Sequence, residues 1–177
     1  MTLPQLSLVI GGAASGKSAL AERLVTHHTG TRVYIATAQA FDSEMREKIA
    51  LHQARRVGEG WRTVEAPFEV ADAIAALKPG EVCLLDCVTF WLSNLLLDDR
   101  DWRDELDKLV ATLRSARGTV VIVTNETGQG IVPENALARA FRQAQGEVNQ
   151  RLASKAQLVV AVMAGLPLVL KGDTQCI

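Results

Sequence analysis

The 177-residue sequence predicts an α/β fold, in which a mostly parallel β-sheet carries helices on both faces. Three observations support this prediction. Short runs rich in Val, Ile and Leu alternate with segments of helical periodicity. These runs are apolar throughout, as expected of strands that are buried on both faces. Several runs end in small or polar residues, which is typical of the ligand-binding edge of such a sheet.

A single domain, 1–177, is expected because a chain of this length can bury a substantial core. Twenty acidic and 19 basic residues nearly cancel and form no like-charged block, which argues against nucleic acid as a partner. No apolar stretch reaches the ~20 residues that span a bilayer, so we expect no membrane span. The three cysteines, Cys83, Cys87 and Cys176, lack zinc-site spacing and are interpreted as reduced thiols of a cytoplasmic protein.

The first predicted strand, residues 6–10, leads directly into a phosphate-binding motif. Gly11-Gly12-Ala13-Ala14-Ser15-Gly16-Lys17-Ser18 fits G-x-x-x-x-G-K-[ST], and a helix is predicted from Lys17 to about Thr26. The glycines allow backbone N–H groups to point at nucleotide phosphates, while the helix directs its positive end at the same anion. We expect Lys17 to neutralise the β- and γ-phosphates and the Ser18 hydroxyl to bind Mg²⁺.

The second predicted strand, residues 33–38, ends in the small and polar residues Ala36-Thr37-Ala38. A helix is predicted after it, in which His52 continues an inward-facing stripe. Arg55 and Arg56 lie three and four residues further on, on the same side of the helix end. Two interpretations of His52 follow from this spacing: a nucleophile or phosphate contact, or a histidine packed beneath its neighbours at a helix end.

A strand over residues 61–66 and a helix over about 68–77 precede the apolar run 82–86, which ends in Asp86. A carboxylate in this position is typical of a strand that holds Mg²⁺ beside a phosphate loop, although an ordinary turn aspartate fits the same pattern. The apolar segment 89–97 predicts a helix covered by the core or by a partner subunit.

The rest of the chain continues the alternation of helices and strands. An amphipathic helix is predicted over 102–117 and a strand over 119–124, followed by Asn125 and Glu126. Pro133 is expected to start a long helix, because proline suits a first helical position. Strands over 158–163 and 167–171 complete the predicted fold. We expect the polar strand ends to converge on the phosphate loop.

The motifs described so far predict an enzyme that uses a Mg-nucleotide, but they leave its acceptor substrate open. A resemblance to a known family takes the prediction further. The chain resembles, almost from end to end, the bifunctional adenosylcobinamide kinase / adenosylcobinamide-phosphate guanylyltransferase family. The segments that carry the resemblance are GGAASGKS (11–18), YIATA (34–38), EMREKIALHQARR (44–56), WRTVE (61–65), LLDC (84–87), TNETGQGIVPEN (124–135), VNQRLA (148–153) and AGLPLVLKG (164–172). The set is specific, whereas a phosphate loop alone would be a weak marker.

The resemblance implies a RecA-like phosphate-loop fold and a homotrimer. It also implies two reactions in cobalamin biosynthesis. The first moves the γ-phosphoryl group of ATP or GTP to the aminopropanol hydroxyl of adenosylcobinamide. The second moves GMP from GTP to the resulting adenosylcobinamide phosphate, through a guanylylated histidine that matches His52.

The resemblance also implies the residues that contact GTP. Beside the phosphate loop these are Ala36, Thr37, Ala38, Gln53, Ala54, Arg55, Arg56, Glu65 and Asp86, with Mg²⁺ at Ser18 and Asp86. Two departures from the family pattern bear on these assignments. Ala14 stands where many relatives carry Arg, and the segment between His52 and Trp61 is one residue longer than in some relatives.

Two other functions fit parts of the sequence. A small-molecule kinase needs Lys17, Ser18 and Asp86 but has no use for His52. A GTP-dependent binding or switch module needs the loop alone, although the chain lacks the [NT]-K-x-D motif by which ordinary switch proteins read guanine.

Overall fold

The structure is a computed structural model, and it describes residues 3–40, 46, 47, 50, 54 and 58–173. Seven strands form one sheet in the order β3-β2-β4-β5-β1-β6-β7. The strands are β1 (Leu6–Gly11), β2 (Thr31–Ala36), β3 (Trp61–Glu65), β4 (Glu81–Asp86), β5 (Thr119–Asn125), β6 (Leu158–Met163) and β7 (Leu166–Lys171). The fully described helices are α1 (Lys17–Thr26), α2 (Val70–Ala75), α3 (Val88–Leu97), α4 (Trp102–Ser115) and α5 (Ala136–Lys155).

The sheet is parallel from β3 to β6, and the edge strand β7 pairs antiparallel with β6. This confirms the mostly parallel sheet predicted from the sequence. All six parallel strands therefore end at the same edge. The strand that precedes the phosphate loop, β1, lies between β5 and β6, so β5 separates it from the strand that ends in Asp86.

Two apolar clusters, one on each face of the sheet, form the core. On one face, Leu20, Leu24 and Val25 of α1 pack against strand residues such as Val9 and Val121. In the other cluster, strand side chains on the opposite face of the sheet pack against α2, α3, α4 and α5. The prediction of helices on both faces is thus confirmed, with more helices on one face than on the other among those described.

The apolar helix α3 is covered mainly by the core of its own subunit. Trp91, Leu92 and Leu95 are fully buried in the larger cluster. Two large side chains stay exposed, with Phe90 at 38% and Leu97 at 65% accessibility. None of the helices in the described ranges combines the length and apolar character that a membrane span requires.

The long C-terminal helix starts later than predicted. α5 begins at Ala136, three residues after Pro133. Asn135 occupies the cap position, where its side-chain oxygen accepts hydrogen bonds from the N–H groups of Leu137 (2.8 Å) and Ala138 (3.2 Å). A capping side chain that satisfies these first-turn donors determines where the helix begins, and Pro133 is left in the preceding loop.

Both cysteines of the described part of the chain, Cys83 and Cys87, are free and buried, which confirms their interpretation as reduced thiols. Burial raises the pKa of Cys83 far above its usual range and that of Cys87 to about 12. Neither thiol is therefore a ready nucleophile. Cys176 lies outside the described residues.

Candidate nucleotide site

The phosphate loop joins β1 to α1, as the motif predicts. Gly16 is the residue before the helix and has a φ of 92°, in the left-handed region that glycine adopts without strain. The helix begins at Lys17, and Leu20 N–H donates to the Gly16 carbonyl at 3.0 Å. The N–H groups of the first turn, which lack helical partners, therefore lie at the end of the loop and form a site suited to an anion.

Neighbouring strand ends hold this loop from both sides. The Gly11 carbonyl accepts a hydrogen bond from Glu126 N–H at 3.0 Å, just after β5. The Ser15 carbonyl accepts one from Gly165 N–H at 2.9 Å, in the turn between β6 and β7. The loop backbone is thus bonded to residues distant in sequence, which restricts its motion before any ligand binds.

Lys17 and Ser18 occupy the first turn of α1. The Lys17 ammonium group donates to the Gly12 carbonyl at 3.0 Å, so the cation lies over the loop. Ser18 is half-buried at the start of the same helix. Both side chains are therefore beside the anion site that the backbone forms, and their predicted contacts with phosphate and Mg²⁺ remain predictions.

Three predicted site residues lie in a row across neighbouring strands. Ala36 at the end of β2 pairs in register with Glu65 of β3 on one side and with Asp86 of β4 on the other. Gly11 lies on β1, two strands beyond Asp86, and pairs in register with Asn125 of the intervening strand β5. The predicted convergence of strand ends is thus confirmed, with Asp86 two strand spacings, roughly 10 Å, from the strand that carries the loop.

The Asp86 carboxylate is oriented by a buried tyrosine. Tyr34 O–H donates to Asp86 Oδ2 at 3.1 Å. The tyrosine ring in turn meets Trp61 edge-to-face, with centroids 6.1 Å apart. Carboxylate and hydroxyl oxygens are the ligands that Mg²⁺ prefers, and this ion is usually held by one or two protein groups together with substrate phosphates. The described residues contain no cluster of three or more His, Cys, Asp or Glu side chains that could hold a metal ion.

Thr37 has a structural role that its sequence position did not reveal. Its hydroxyl donates to the Cys87 carbonyl at 2.7 Å and accepts from Cys87 N–H at 2.9 Å. Asn94 of α3 donates to the Thr37 carbonyl at 2.8 Å. The residue is fully buried and ties the end of β2 to the start of α3, directly beside Asp86. Its predicted contact with the nucleotide stays a prediction.

A buried polar network beneath the end of β5 was also missed by sequence reasoning. Thr124 O–H donates to Asn149 Oδ1 at 2.7 Å, and Gln145 donates to both of these residues. Asn149 also donates to the Asn125 carbonyl at 3.0 Å, while Thr89 of α3 accepts from Asn125 N–H at 2.8 Å. The sequence signal that could have revealed this network is the pair Gln145 and Asn149, two amides four residues apart inside the apolar stripe of α5.

The remaining predicted residues divide into two groups. His52, Gln53, Arg55 and Arg56 lie outside the described residues. Ala54 is helical and exposed, Glu65 is exposed, and Ala36 and Ala38 are half-buried at the sheet edge. The roles assigned to all of them remain predictions.

Comparisons with known proteins point to one family. The sequence model of the family described as cobinamide kinase / cobinamide phosphate guanyltransferase matches residues 7–170. A bifunctional adenosylcobalamin biosynthesis protein from Pseudomonas aeruginosa is 43% identical over 169 residues, which cover 94% of this chain and 97% of that protein. Proteins of the same description from Escherichia coli and Salmonella typhimurium are 43% and 41% identical over 180 residues, each covering 93% of this chain and 98% of the relative.

Solved structures of lower sequence similarity share the fold. A RadB recombinase superposes with a TM-score of 0.52 at 15% identity, covering 88% of this chain and 73% of the recombinase. A Pyrococcus horikoshii protein gives a TM-score of 0.55 at 10% identity, covering 99% and 91% of the two chains. These likenesses concern the fold alone, and they confirm the RecA-like phosphate-loop fold expected from the sequence.

Proposed function

The chain belongs to the cobinamide kinase / cobinamide phosphate guanyltransferase family, and from this premise we propose that it catalyses both reactions on adenosylcobinamide. It would phosphorylate the aminopropanol hydroxyl and then attach GMP to the new phosphate, giving adenosylcobinamide-GDP and pyrophosphate. The observation that carries the proposal is that the phosphate loop lies at the same sheet edge as the row Glu65, Ala36 and Asp86.

In the kinase step, the substrate hydroxyl attacks the γ-phosphorus of ATP or GTP. The new O–P bond forms as the bond to the β-phosphate oxygen breaks, the hydroxyl proton passes to solvent, and the nucleoside diphosphate leaves. The N–H groups at the start of α1 and the Lys17 ammonium group stabilise the charge on the phosphate oxygens. Ser18 and Asp86 are the residues that would hold Mg²⁺, which when bound neutralises phosphate charge.

In the guanylyl transfer, a neutral His52 imidazole attacks the α-phosphorus of GTP. A P–N bond forms and pyrophosphate leaves. A phosphate oxygen of adenosylcobinamide phosphate then attacks the same phosphorus, which breaks the P–N bond and restores His52. Arg55 and Arg56 favour the neutral imidazole, because nearby cations oppose its protonation, and they are suited to contacting phosphate oxygens.

The same proposal includes the setting in which the enzyme works. We expect Gln53, Ala54 and Glu65 to contact GTP and the chain to act as one domain in a homotrimer in the cytoplasm. The two buried, free thiols Cys83 and Cys87 are compatible with a reducing compartment.

The decisive experiment uses Mg²⁺ and GTP labelled at the α-phosphate. Wild-type protein should retain the label through a denaturing gel, with the acid-labile, base-stable behaviour of a phosphoramidate. Peptide mapping should place it on the peptide that contains His52. The variant His52→Ala should take up no label, whereas His27→Ala, which removes an exposed histidine at the end of α1, should behave as wild type.

A second assay follows transfer of γ-phosphate to adenosylcobinamide. Retention of this activity in His52→Ala would separate the two steps and support both. Wild-type protein that phosphorylates adenosylcobinamide but never becomes labelled would overturn the histidine intermediate and leave a monofunctional kinase.

A further inference from the structure

An open apolar groove lies between α3, the loop before α5, and the first turns of α5. Its volume is about 480 Å³, within the range of small-molecule sites. Leu96 and Leu97 of α3 form one wall, and Leu137 and Phe141 of α5 form the other. Leu97 and Leu137 are 65% and 58% exposed, so the groove presents apolar surface to solvent without a partner from the described residues.

The groove is polar where it meets the loop. Thr127 and Asn135 line it there, beside Arg142. The Thr127 hydroxyl oxygen is buried and has no hydrogen-bond partner among the described residues. Arg142 donates to the Gly128 carbonyl, so its charge is already directed at the loop backbone. An unpaired buried hydroxyl beside an apolar cleft is suited to a ligand that brings its own polar group.

Both walls of the groove originate at the nucleotide site. α3 starts two residues after Asp86, and its groove residues Ser93 to Leu97 lie roughly 7 to 14 Å along the helix from its start. The loop wall follows directly from Glu126, whose N–H is bonded to the Gly11 carbonyl of the phosphate loop. The loop wall therefore connects the polar end of the groove to the phosphate loop.

We propose that this groove binds the corrinoid acceptor of both reactions, with one apolar edge of the corrin ring against Leu97, Leu137 and Phe141. This inference rests on the proposed function. The arm that carries the reacting hydroxyl extends from the ring past Thr127 toward the phosphate loop. A side-chain amide of the corrinoid pairs with the Thr127 hydroxyl.

The chemistry of the groove fits this ligand better than a second nucleotide. A corrin ring has methyl groups and an apolar edge, and its rim carries neutral amides. The groove offers leucine and phenylalanine side chains with hydroxyl and amide groups at one end. Arg142 is the one charged residue among the described residues that line the groove, so the groove offers far less positive charge than a triphosphate requires.

The test compares Leu137→Glu and Thr127→Val with Leu168→Glu, in which a leucine of similar exposure on β7 is replaced outside the groove. We expect Leu137→Glu to raise KM for adenosylcobinamide by roughly tenfold or more, because a buried apolar contact becomes a desolvated charge. GTP-dependent self-labelling of His52 should stay at the wild-type level in all three variants. Leu168→Glu should leave the corrinoid KM unchanged.

Thr127→Val separates ligand binding from structure. The substitution removes a hydroxyl that has no partner, so a purely structural role predicts unchanged or slightly higher stability and unchanged KM. Corrinoid binding predicts a higher KM at unchanged melting temperature.

Three results are distinguishable from one another. Unchanged KM in both groove variants would overturn the groove as the corrinoid site while leaving the two activities in place. Wild-type protein that self-labels but never turns over adenosylcobinamide would reject the proposed function itself. A change of sedimentation confined to Leu137→Glu, with an unchanged KM, would identify the groove as a contact between subunits and overturn the proposal.

Discussion

The phosphate loop and the α3–α5 groove are connected through the segment that follows β5, yet they are built in opposite ways. The loop is eight consecutive residues, and its backbone accepts hydrogen bonds at Gly11 from Glu126, after β5, and at Ser15 from Gly165, in the β6–β7 turn. The groove is formed by side chains from three elements, and several of them are exposed. One surface is rigid and polar, while the other is apolar and open.

This difference matches the ligands that we propose for the two surfaces. Phosphate groups are the same in ATP and GTP, so a backbone site fixed in advance serves both. A large acceptor has to enter and leave, so it needs an open surface in which single side chains set the affinity. Substitutions should therefore affect the two regions differently: changes in the loop should lower the rate, and changes in the groove should raise KM.

The largest effect is expected for Lys17→Met. The substitution removes a cation at the phosphates while keeping much of the side-chain volume, and we expect both activities to fall on the order of 10³-fold. The measurement is single-turnover transfer of labelled γ-phosphate and of labelled GMP. Lys155→Met, at the exposed end of α5, is the control and should match wild type. A loss smaller than about tenfold in Lys17→Met would contradict the assigned role.

The next effect concerns Asp86→Asn, which keeps the shape of the side chain and removes its charge. We expect about a 10²-fold loss of activity that higher Mg²⁺ concentrations partly restore. Tyr34→Phe removes the 3.1 Å hydrogen bond to the carboxylate but leaves the Asp86 charge in place, and it should cost far less. Equal losses in the two variants, without any response to Mg²⁺, would indicate an orienting role for Asp86 rather than a metal-binding one.

Alanine substitutions at two adjacent glycines of the phosphate loop, Gly11 and Gly12, test how rigid the loop is. A Cβ at Gly11 would lie 2.5 Å from Ser15 Oγ and 2.6 Å from the Val162 carbonyl oxygen, whereas a Cβ at Gly12 would meet nothing within 4 Å. Gly11→Ala should lower the free energy of unfolding by about 3 kcal/mol, and Gly12→Ala should change it little. Urea denaturation measures both. Similar stabilities would mean that the loop adapts to the added methyl group.

The smallest effect is expected at the junction of the two regions. Asn149 donates to the Asn125 carbonyl and accepts from Thr124, so Asn149→Ala should destabilise the protein by about 1 to 2 kcal/mol. Because Asn125 precedes both Glu126 and the groove loop, corrinoid KM should rise modestly as well. Gln150→Ala, on the exposed face of the same helix, should change neither quantity. Loss of stability with an unaltered KM would restrict the network to a structural role.

Much of the fold followed from the sequence because its signals are local. The strand 119–124 and the loop 11–18 are contiguous patterns, and both are present as predicted. The start of α5 was misassigned because the Asn135 cap outweighs the preference of Pro133 for a first helical position. The groove and the Thr124–Asn149 network could not be predicted in the same way, since their residues meet only after distant elements have packed.

The contact between Asp86, Tyr34 and Trp61 also gives the protein an optical probe. Trp61 is partly exposed, and its ring meets the tyrosine that is bonded to the Asp86 carboxylate. The other two indoles, Trp91 and Trp102, are 1% and 8% exposed, so their emission supplies a steady background. We therefore expect a change in the charge around Asp86 to alter the Trp61 emission, which would report occupancy of this sheet edge without a dye or a label.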